Sequence, residues 1–271
     1  MINIAFWNTH NNDNIDLALE EFMLENHIDI MALCEYSGNA TQLSMAPLLI
    51  RKGYKVAPRI AGNENMPILY STESVSHKSI ITDEERYSIH EFMIREYEFI
   101  FCFVHLPSKL FGDNELQCDI NARLIVSDIQ EQEQREGHKR TVIIGDFNLD
   151  PYEKTILWAD AFHAYPDVTD VKRRKIQNTF FDSFYNPSWN LYGDKESPPG
   201  TYYYRRPGIS PQWHIFDQVL MRHEVVPFFD KESLRIVTST TNHSFADENG
   251  RPNKEQYSDH FPIIFSIGGK G

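Results

Sequence analysis

Two short polar segments combine residue types that hydrolytic chemistry uses. Asp146 and Asn148 follow one apolar run, and Asp259 and His260 precede another. A carboxylate can bind a hard cation or accept a proton from water, and an imidazole can transfer a proton or carry a positive charge near neutral pH. An amide can hold a water or a phosphate oxygen by hydrogen bonds. Each segment alone is also typical of a turn, so the chemistry depends on whether the chain brings the two together.

Four further polar residues stand at the ends of, or within, predicted apolar strands. Asn8, Glu35 and His105 each follow an apolar run, and Asp217 lies inside one. Strand ends are where α/β sheets place binding groups, because the strands fix positions while the loops vary. A carboxylate among apolar neighbours costs free energy unless it is paired, so Asp217 needs a partner. The set indicates one polar cleft at the edge of a sheet.

Alternating and helical periodicities predict the elements that must hold these residues. The opening part has a βαβ-like pattern, with a strand over residues 2–7, a helix after it, and a strand over 28–34. Two closely spaced strands over 88–94 and 98–105 are typical of an antiparallel pair. The other predicted elements are a helical stretch near 41–52, short strands near 54–58 and 67–71, and strands over 141–144, 201–205, 213–220, 234–240 and 261–267.

One long helix is predicted over residues 114–136. Its Leu116, Ile120 and Leu124 recur at i+4 spacing and form an apolar stripe. Residues 166–212 are rich in proline, asparagine and aromatic residues and show no long periodic element. This segment is expected to form loops over the site.

Length, charge and cysteine content narrow the class of protein. A chain of 271 residues with 41% hydrophobic content can bury a large core, and residues 1–271 are predicted to form a single domain because no repeat or linker divides them. The net charge of −13 argues against a protein that coats nucleic acid, although nucleic acid stays possible as a substrate. The irregularly spaced Cys34, Cys102 and Cys118 indicate reduced thiols.

The location and several enzyme classes can also be judged from the sequence. The N-terminus lacks the basic segment and apolar core of a secretion signal, and no apolar run has membrane-spanning length. A cytoplasmic location without a membrane partner is therefore expected, and no obligate protein partner can be inferred. The H-E-x-x-H, G-x-S-x-G and P-loop motifs are absent, which disfavours a zinc protease, a serine hydrolase and a nucleotide-driven motor.

The order of the polar motifs resembles that of the endonuclease/exonuclease/phosphatase superfamily of metal-dependent phosphoesterases, which includes pancreatic-type deoxyribonuclease and the abasic-site repair endonucleases. Each motif alone is a weak match, but six in the family's order over nearly the whole chain form a strong one. The resemblance implies an α/β (α+β) fold, a four-layer sandwich of two mixed β-sheets flanked by helices, with one catalytic domain. The motifs are Trp7-Asn8, Glu35, His105, Gly145-Asp146-Phe147-Asn148, Asp217 and Ser258-Asp259-His260.

The resemblance also implies a metal site. A phosphodiester is shielded by negative charge, so its cleavage needs a hard cation, a positioned water and stabilisation of the leaving oxygen. Mg²⁺ prefers oxygen ligands and usually keeps several waters, so one or two carboxylates are enough to hold it. Glu35 and Asp259 are the candidate ligands, with Asn8 close by, and Mn²⁺ is a possible substitute for Mg²⁺.

The same resemblance assigns roles around the reacting water and phosphate. Asp146 would orient or deprotonate the attacking water, while Asn8 and Asn148 hold that water and a phosphate oxygen. His105 would contact the phosphate.

A second acid and an imidazole complete the implied catalytic set. His260 would act as general base or as a charged stabiliser of the transition state, oriented through its other ring nitrogen by Asp217. The choice of base between Asp146 and His260 stays open at this point, because it depends on pKa values and distances.

Two cationic residues are candidates for contacting the substrate. Lys109 shares a loop with His105 and is the better phosphate contact of the two. Arg123 lies beside the apolar stripe of the long helix and could lean toward the site, although a helix-edge arginine is the usual case. The tyrosines over residues 202–204 could stack on bases, but packing is favoured for at least one face.

The chain departs from the family's pattern at two points. Many members have a short apolar residue after the first motif, whereas this chain continues Thr9-His10-Asn11-Asn12. Gln218 replaces the usual tyrosine after Asp217, which predicts different supporting contacts there. Neither change removes a catalytic group.

The resemblance leaves the substrate open, since superfamily members act on DNA, RNA, inositol phosphates and phospholipids. The first expectation is an intracellular Mg²⁺-dependent nuclease that hydrolyses DNA, with RNA possible and with endonuclease or exonuclease action undecided. A phosphatase or phosphodiesterase acting on a smaller phosphate ester, such as a nucleotide, an inositol phosphate or a phospholipid head group, ranks second. A catalytically silent binding module ranks third, because the catalytic set is complete.

Overall fold

Two mixed β-sheets form the centre of the molecule. The computed structural model describes residues 1–60, 66–109, 114–171, 173–193, 197–205, 208 and 211–268. The helices are α1 (Asp16–Glu25), α2 (Ala40–Ser44), α3 (Pro47–Arg51), α4 (Asn114–Glu136) and α5 (Lys154–Leu157), with short 3-10 helices at Val168–Asp170, Pro187–Leu191 and Val226–Phe228. The strands are β1 (Ile2–Asn8), β2 (Ile28–Cys34), β3 (Tyr54–Val56), β4 (Ile68–Ser71), β5 (Val75–Asp83), β6 (Tyr87–Ile94), β7 (Tyr97–His105), β8 (Thr141–Asp146), β9 (Ala164–Tyr165), β10 (Arg174–Ile176), β11 (Thr179–Phe181), β12 (Phe184–Tyr185), β13 (Tyr202–Tyr203), β14 (Trp213–His214), β15 (Asp217–Met221), β16 (Phe229–Ile236) and β17 (Ile263–Ile267).

The first sheet has six strands in the order β16-β17-β1-β2-β4-β3. Its central strand β1 pairs in parallel with β2 and antiparallel with β17. The first and last strands of the described chain are therefore neighbours. This pairing brings the loop before β17 to the end of β1.

The second sheet has seven strands in the order β5-β6-β7-β8-β15-β12-β9. β7 and β8 are parallel because α4 carries the chain back between them, and β15 is antiparallel to β8. Two short hairpins, β10-β11 and β13-β14, lie outside both sheets.

Alternate side chains of the strands pack in different layers. In β1, Ile4 and Phe6 lie in the core between the two sheets, whereas Ala5 and Trp7 pack on the side of α1. In β8, Ile143 points away from that central core and packs with residues of α4. This period of two is what a strand buried on both faces requires. The result is a four-layer sandwich with helices outside each sheet, which confirms the predicted fold class.

The long helix α4 buries a different face from the one that its apolar stripe indicated. Leu116, Ile120 and Leu124 are 60%, 46% and 52% exposed. Regular i+4 spacing does not choose between faces, and smaller side chains let a helix lie closer to a sheet. The face of α4 that packs on the second sheet contains Cys118, Ala122, Ile125 and Ile129.

No helix in the described part of the chain, α4 included, is long and apolar enough to cross a membrane.

Four other regions differ from the sequence predictions. The helix predicted over 41–52 is two short helices, because Pro47 begins a new helix. The strand predicted over 213–220 is divided into β14 and β15. β5 was not predicted because it is a mostly polar, partly exposed strand at the edge of the second sheet. The strand predicted over 234–240 begins earlier, at the start of β16.

All three cysteines are buried free thiols, as predicted. Burial raises the pKa of Cys34, Cys102 and Cys118 above the ordinary thiol value. The thiols are therefore protonated and unreactive near neutral pH.

A buried ion pair joins α4 to the second sheet. Arg222 Nε lies 2.8 Å from Glu133 Oε1, and both side chains are 2% exposed. Thr141 donates its hydroxyl to the same carboxylate oxygen at 2.8 Å. The Arg222 guanidinium also lies 3.8 Å from the centre of the Phe184 ring.

Removing one partner of this pair is expected to be costly. Arg222→Ala should lower the free energy of unfolding by about 3–5 kcal/mol, because it leaves the Glu133 carboxylate buried without a counter-charge. The double variant Arg222→Met/Glu133→Leu should recover most of that loss, since no charge is then buried. Urea unfolding of the three proteins measures both effects. An Arg222→Ala protein as stable as the wild type would contradict the expectation.

Candidate active site

Three polar residues lie side by side where the central strands of the second sheet reach a cleft. His105 is opposite Asp146 in the parallel β7-β8 pair, and Asp217 is opposite Asp146 in the antiparallel β8-β15 pair. Gly145 permits this pairing, because its φ is +157° and a Cβ there would lie 1.9 Å from the Val104 carbonyl oxygen. Any side chain at this position would push β7 and β8 apart and displace Asp146.

The first sheet supplies the opposite side of the cleft. Asn8 is the last residue of β1, and Glu35 follows the last residue of β2. The loop before β17 is attached here by two hydrogen bonds: Trp7 Nε1 donates to the His260 carbonyl at 2.9 Å, and the Ser258 hydroxyl donates to the Asn8 carbonyl. Residues far apart in the sequence therefore meet where the two sheets end.

Asp146 lies at the centre of the site and is 1% exposed. Its Oδ1 accepts the backbone N–H of Asn148 at 2.8 Å, and its Oδ2 accepts from Asn8 Nδ2 at 3.0 Å. His260 Nε2 lies 3.8 Å from the same Oδ2. Burial raises the pKa of Asp146, and the charge of His260 opposes this rise. The carboxylate is thus fixed in orientation and more basic than an exposed aspartate.

His260 is held by a second buried carboxylate. Its Nδ1 donates to Asp217 Oδ2 at 2.8 Å, so the other ring nitrogen is left on the side of Asp146. Burial favours the neutral ring, but the charges of Asp217 and Asp146 outweigh burial and raise the pKa of His260 to about 10. At neutral pH the ring is therefore a positively charged imidazolium.

Glu35 is held at the cleft by several donors. Its Oε1 lies 3.3 Å from both His105 Nε2 and Asn8 Nδ2, and its Oε2 accepts from Asn11 Nδ2 at 2.9 Å. The hydrogen bond from His105 is the largest of the effects that lower the pKa of Glu35, to about 2. The carboxylate therefore stays ionised at neutral pH.

Asp259 offers a second carboxylate on this side of the cleft. Its Oδ1 lies 3.2 Å from His10 Nδ1, and its Oδ2 lies 3.5 Å from Lys254 Nζ. The side chains of Glu35 and Asp259 are 28% and 16% exposed, so both can be reached from solvent. The amide oxygen of Asn8 accepts the His10 N–H at 2.9 Å, which leaves the amide nitrogen facing Glu35. Two accessible carboxylates offer the oxygen donors that hard divalent cations prefer.

Two tighter groups of potential metal donors occur among the described residues, Cys34-His105-Asp146 and Asp146-Asp217-His260, each within 4.8 Å. Both are poorer candidates. Burial keeps the Cys34 thiol protonated, and Asp217 and His260 are bonded to each other. Glu35 and Asp259 are the more accessible carboxylates, with side chains 28% and 16% exposed.

These groups open on one cleft of about 350 Å³. Lys109 lines it and forms an ion pair there with Glu153. Arg123 is not brought to the cleft, because its Nε lies 3.0 Å from Asp160 Oδ2 on the surface of α4. Every other candidate from the sequence lies at the cleft or directly behind it.

Several cleft residues were missed from the sequence. Asp150 is 3% exposed and accepts from the Tyr152 hydroxyl at 2.9 Å and from the Ile215 N–H at 3.0 Å. His214 Nδ1 lies 2.6 Å from Asp150 Oδ2. The His214 ring stacks on Phe216, and Phe216 stacks on Tyr202, with ring centres 4.7 and 5.1 Å apart. The only sequence signal was position, since Asp150 follows β8, Phe216 precedes β15, and His214 lies in the short strand β14 just before it. Tyr202 both packs and lines the cleft.

Gln218, which replaces the family's usual tyrosine, supports the loop that follows β8. It is buried, accepts from Asn186 Nδ2 at 2.8 Å and donates to the Leu149 carbonyl. The substitution therefore keeps a polar support behind the cleft.

Solved structures resemble the whole chain. No protein-family model and no curated protein sequence matches it. The chain is similar to TDP2 from D. rerio in complex with a single-strand DNA product (15% identity, 98% of each chain, TM-score 0.57). It is also similar to the human Nocturnin catalytic domain with bound sulfate (14% identity, 98% of this chain and 94% of that chain, TM-score 0.57). A third similar structure is an endonuclease/exonuclease/phosphatase family protein from Bacteroides thetaiotaomicron (14% identity, 98% of this chain and 97% of that chain, TM-score 0.54).

The likeness extends over nearly the full length of each compared chain, at low sequence identity. It therefore shows the architecture alone, a two-sheet α/β sandwich. The chain shares the fold of these structures, one of which is titled an endonuclease/exonuclease/phosphatase family protein, and this is the fold that the motif order predicted.

Proposed function

We propose that this chain is a metal-dependent phosphodiesterase that hydrolyses nucleic acid by attack of water. The observation that carries the proposal is the surroundings of Asp146. This buried carboxylate is oriented by Asn8 and Asn148 and lies 3.8 Å from the charged ring of His260. A base and a positive charge on one side of a polar cleft are what attack on a phosphate requires.

Glu35 and Asp259 would hold the divalent cation, Mg²⁺ or Mn²⁺ in its place. When bound, the cation would offset the phosphate charge and stabilise the leaving oxygen. The hydrogen bond from His105 supports this role for Glu35, because it keeps the carboxylate ionised and therefore able to act as a ligand.

Asp146 would orient the attacking water and accept its proton. A raised pKa makes it a stronger base than an exposed aspartate. His260, with a pKa of about 10, already carries its proton at neutral pH and would instead stabilise negative charge on the phosphate. We therefore propose Asp146, rather than His260, as the base of the two alternatives that the sequence left open.

Three other side chains would bind the phosphate. His105 Nε2 lies 4.0 Å from Asp146 Oδ2, and it would contact a phosphate beside that carboxylate with the same N–H that it donates to Glu35 in this structure. Asn148 Nδ2, 3.3 Å from the same oxygen, would hold the water or a phosphate oxygen. Lys109 would add positive charge at the wall of the cleft.

The stacked rings of Tyr202, Phe216 and His214 favour a substrate that carries a base. Aromatic side chains beside a phosphate site stack on nucleobases without strong sequence preference. The structure of D. rerio TDP2 with a single-strand DNA product supports DNA as the first candidate, with RNA possible.

A smaller phosphate ester is the second candidate, favoured by the charge of the cleft. Lys109 is the one lysine or arginine among the described residues that line it, against five carboxylates. A long polyanion gains affinity from several cationic contacts, whereas a nucleotide or inositol phosphate needs few. The human Nocturnin catalytic domain, to which the chain is similar, binds a small anion, sulfate, in its solved structure.

One turnover panel distinguishes the candidates. Single- and double-stranded DNA, RNA, a generic phosphodiester, a mononucleotide and inositol phosphates are incubated with Mg²⁺ or Mn²⁺, and with EDTA as the metal-free control. Fastest cleavage of DNA is expected. Turnover of monoesters alone would favour the second candidate. Absence of turnover on every substrate would contradict the proposal and leave a binding module.

A further inference from the structure

Three ring-bearing side chains form a row on one wall of the cleft. Tyr202 is opposite His214 in the β13-β14 hairpin and opposite His260 on its other side, where the two residues form an isolated bridge. Directly opposed residues of neighbouring strands carry their side chains on the same face. The rings of His214, Tyr202 and His260 therefore point the same way, and all three line the cleft. Tyr202 is the middle member of this row.

The hydroxyl of Tyr202 is the part of this side chain that can meet a ligand. The ring is stacked on Phe216 with centres 5.1 Å apart, and its centre lies 4.7 Å from that of His260. The hydroxyl forms no hydrogen bond within the part of the chain that the structure describes. A tyrosine O–H can donate one hydrogen bond. The cleft therefore contains a donor, beside the charged ring of His260, that the roles assigned above do not use.

The surroundings of this hydroxyl keep its proton in place. Burial, followed by the negative charges of Asp259 and Asp146, raises the pKa of Tyr202 to about 12. The side chain is therefore a neutral O–H donor at neutral pH. Asp259 is a proposed metal ligand and Asp146 the proposed base, so the hydroxyl lies within electrostatic reach of both sides of the site.

We propose that Tyr202 is a further catalytic residue, whose hydroxyl donates a hydrogen bond to a non-bridging oxygen of the phosphate that the water attacks. The inference rests on the proposed function, because it adds a residue to the same site. Negative charge that develops on phosphoryl oxygens is stabilised by donors already held in place. The proton stays on Tyr202 throughout, and no bond to the tyrosine forms or breaks. The rings of Phe216 and His214 remain available to a nucleobase.

The variant Tyr202→Phe removes the hydroxyl and keeps the ring with its stacking contacts. Its kcat on a DNA diester should be lower than that of the wild type by about 10²-fold. KM should change little, because the donor acts mainly on charge that develops in the transition state.

Tyr203→Phe is the matched control. Successive side chains of a strand point to opposite faces, and the Tyr203 hydroxyl donates to Gln212 Oε1 at 2.6 Å. Tyr203 does not line the cleft among the described residues. Removing this second hydroxyl should leave kcat and KM unchanged.

Sulfur substitution in the substrate locates the contact. Each diastereomer of a phosphorothioate diester has sulfur, a weak hydrogen-bond acceptor, in place of one non-bridging oxygen. The ratio of wild-type to Tyr202→Phe turnover should be much smaller for one diastereomer than for the other and for the oxygen diester. Equal ratios for all three substrates would indicate a structural effect and would overturn the inference.

Binding of inorganic phosphate gives a readout that needs no turnover. Calorimetry with Mn²⁺ present should show affinity about 10-fold weaker in Tyr202→Phe protein, with Tyr203→Phe protein equal to the wild type. Cleavage of DNA by Tyr202→Phe protein at the wild-type rate would overturn the inference and leave the proposed function standing. If the wild type cleaves no ester, the proposed function fails and phosphate affinity alone decides. In that case, phosphate binding that is absent, or equal in wild type and Tyr202→Phe protein, would overturn the inference as well.

Discussion

Asp146→Asn protein is expected to hydrolyse phosphodiesters at least about 10³-fold more slowly than the wild type, because an amide cannot accept the proton of the attacking water. The change preserves the size of the side chain and an acceptor for the Asn148 N–H, which lies 2.8 Å from Oδ1 in the wild type. The fold should therefore be retained. Steady-state turnover measures the loss, and far-ultraviolet circular dichroism checks the fold.

Asp13→Asn is the matched control for this variant. Asp13 is an exposed aspartate in the loop before α1, so its replacement removes the same charge away from the cleft. It is expected to leave turnover and fold unchanged. Near-normal turnover by Asp146→Asn protein would mean that Asp146 is not the base.

The second large effect is expected from Asp217→Asn, which should lower turnover by about 10²–10⁴-fold. Asp217 does not face the substrate but holds His260 through the 2.8 Å contact to its Nδ1. An amide can no longer stabilise the charged ring. Mn²⁺ affinity, measured by calorimetry, should change little, because Asp217 acts through His260. If Asp217→Asn protein lost turnover and Mn²⁺ affinity to the same extent, Asp217 would be a metal ligand instead.

The same variant reveals the charge state of His260. The pKa of this ring is about 10 in the folded protein, against roughly 6.5 for an unperturbed imidazole. The ring's stabilising effect on the fold is therefore complete below about pH 6.5 and is lost as the pH rises toward 10.

Wild-type turnover that needs the His260 imidazolium should likewise fall only as the pH approaches about 10. In Asp217→Asn protein the fall should begin at lower pH, and identical pH profiles would contradict the charged role.

The sequence was most informative about the positions of the catalytic residues. Asn8, Glu35, His105 and Asp146 were predicted because each stands where a buried apolar run ends. The register of β7, β8 and β15 places His105, Asp146 and Asp217 side by side in one row. Strand ends are visible in a sequence because apolar periodicity stops there. The fold class followed from the order of the motifs.

Contacts that depend on packing between distant segments were not predictable in the same way. The buried face of α4 was misjudged because Leu116 and its i+4 partners match a helical period as well as the true buried face does. Arg123 shares that helix and is paired with Asp160 at the surface. His10 and Asp150 stand in loops and His214 in the short strand β14 outside both sheets, and the paths of these segments depend on the sheets they connect rather than on local pattern.

The most direct test of the central claim is hydrolysis of an end-labelled single-stranded DNA oligonucleotide in ¹⁸O-enriched water, with the product phosphates analysed by mass spectrometry. The account predicts one solvent oxygen in each new terminal phosphate for the wild type with Mg²⁺ or Mn²⁺. It also predicts that turnover disappears with EDTA and in Asp146→Asn protein. Equal turnover by wild type and Asp146→Asn protein, or failure of the wild type to cleave any phosphodiester with either cation, would contradict the account.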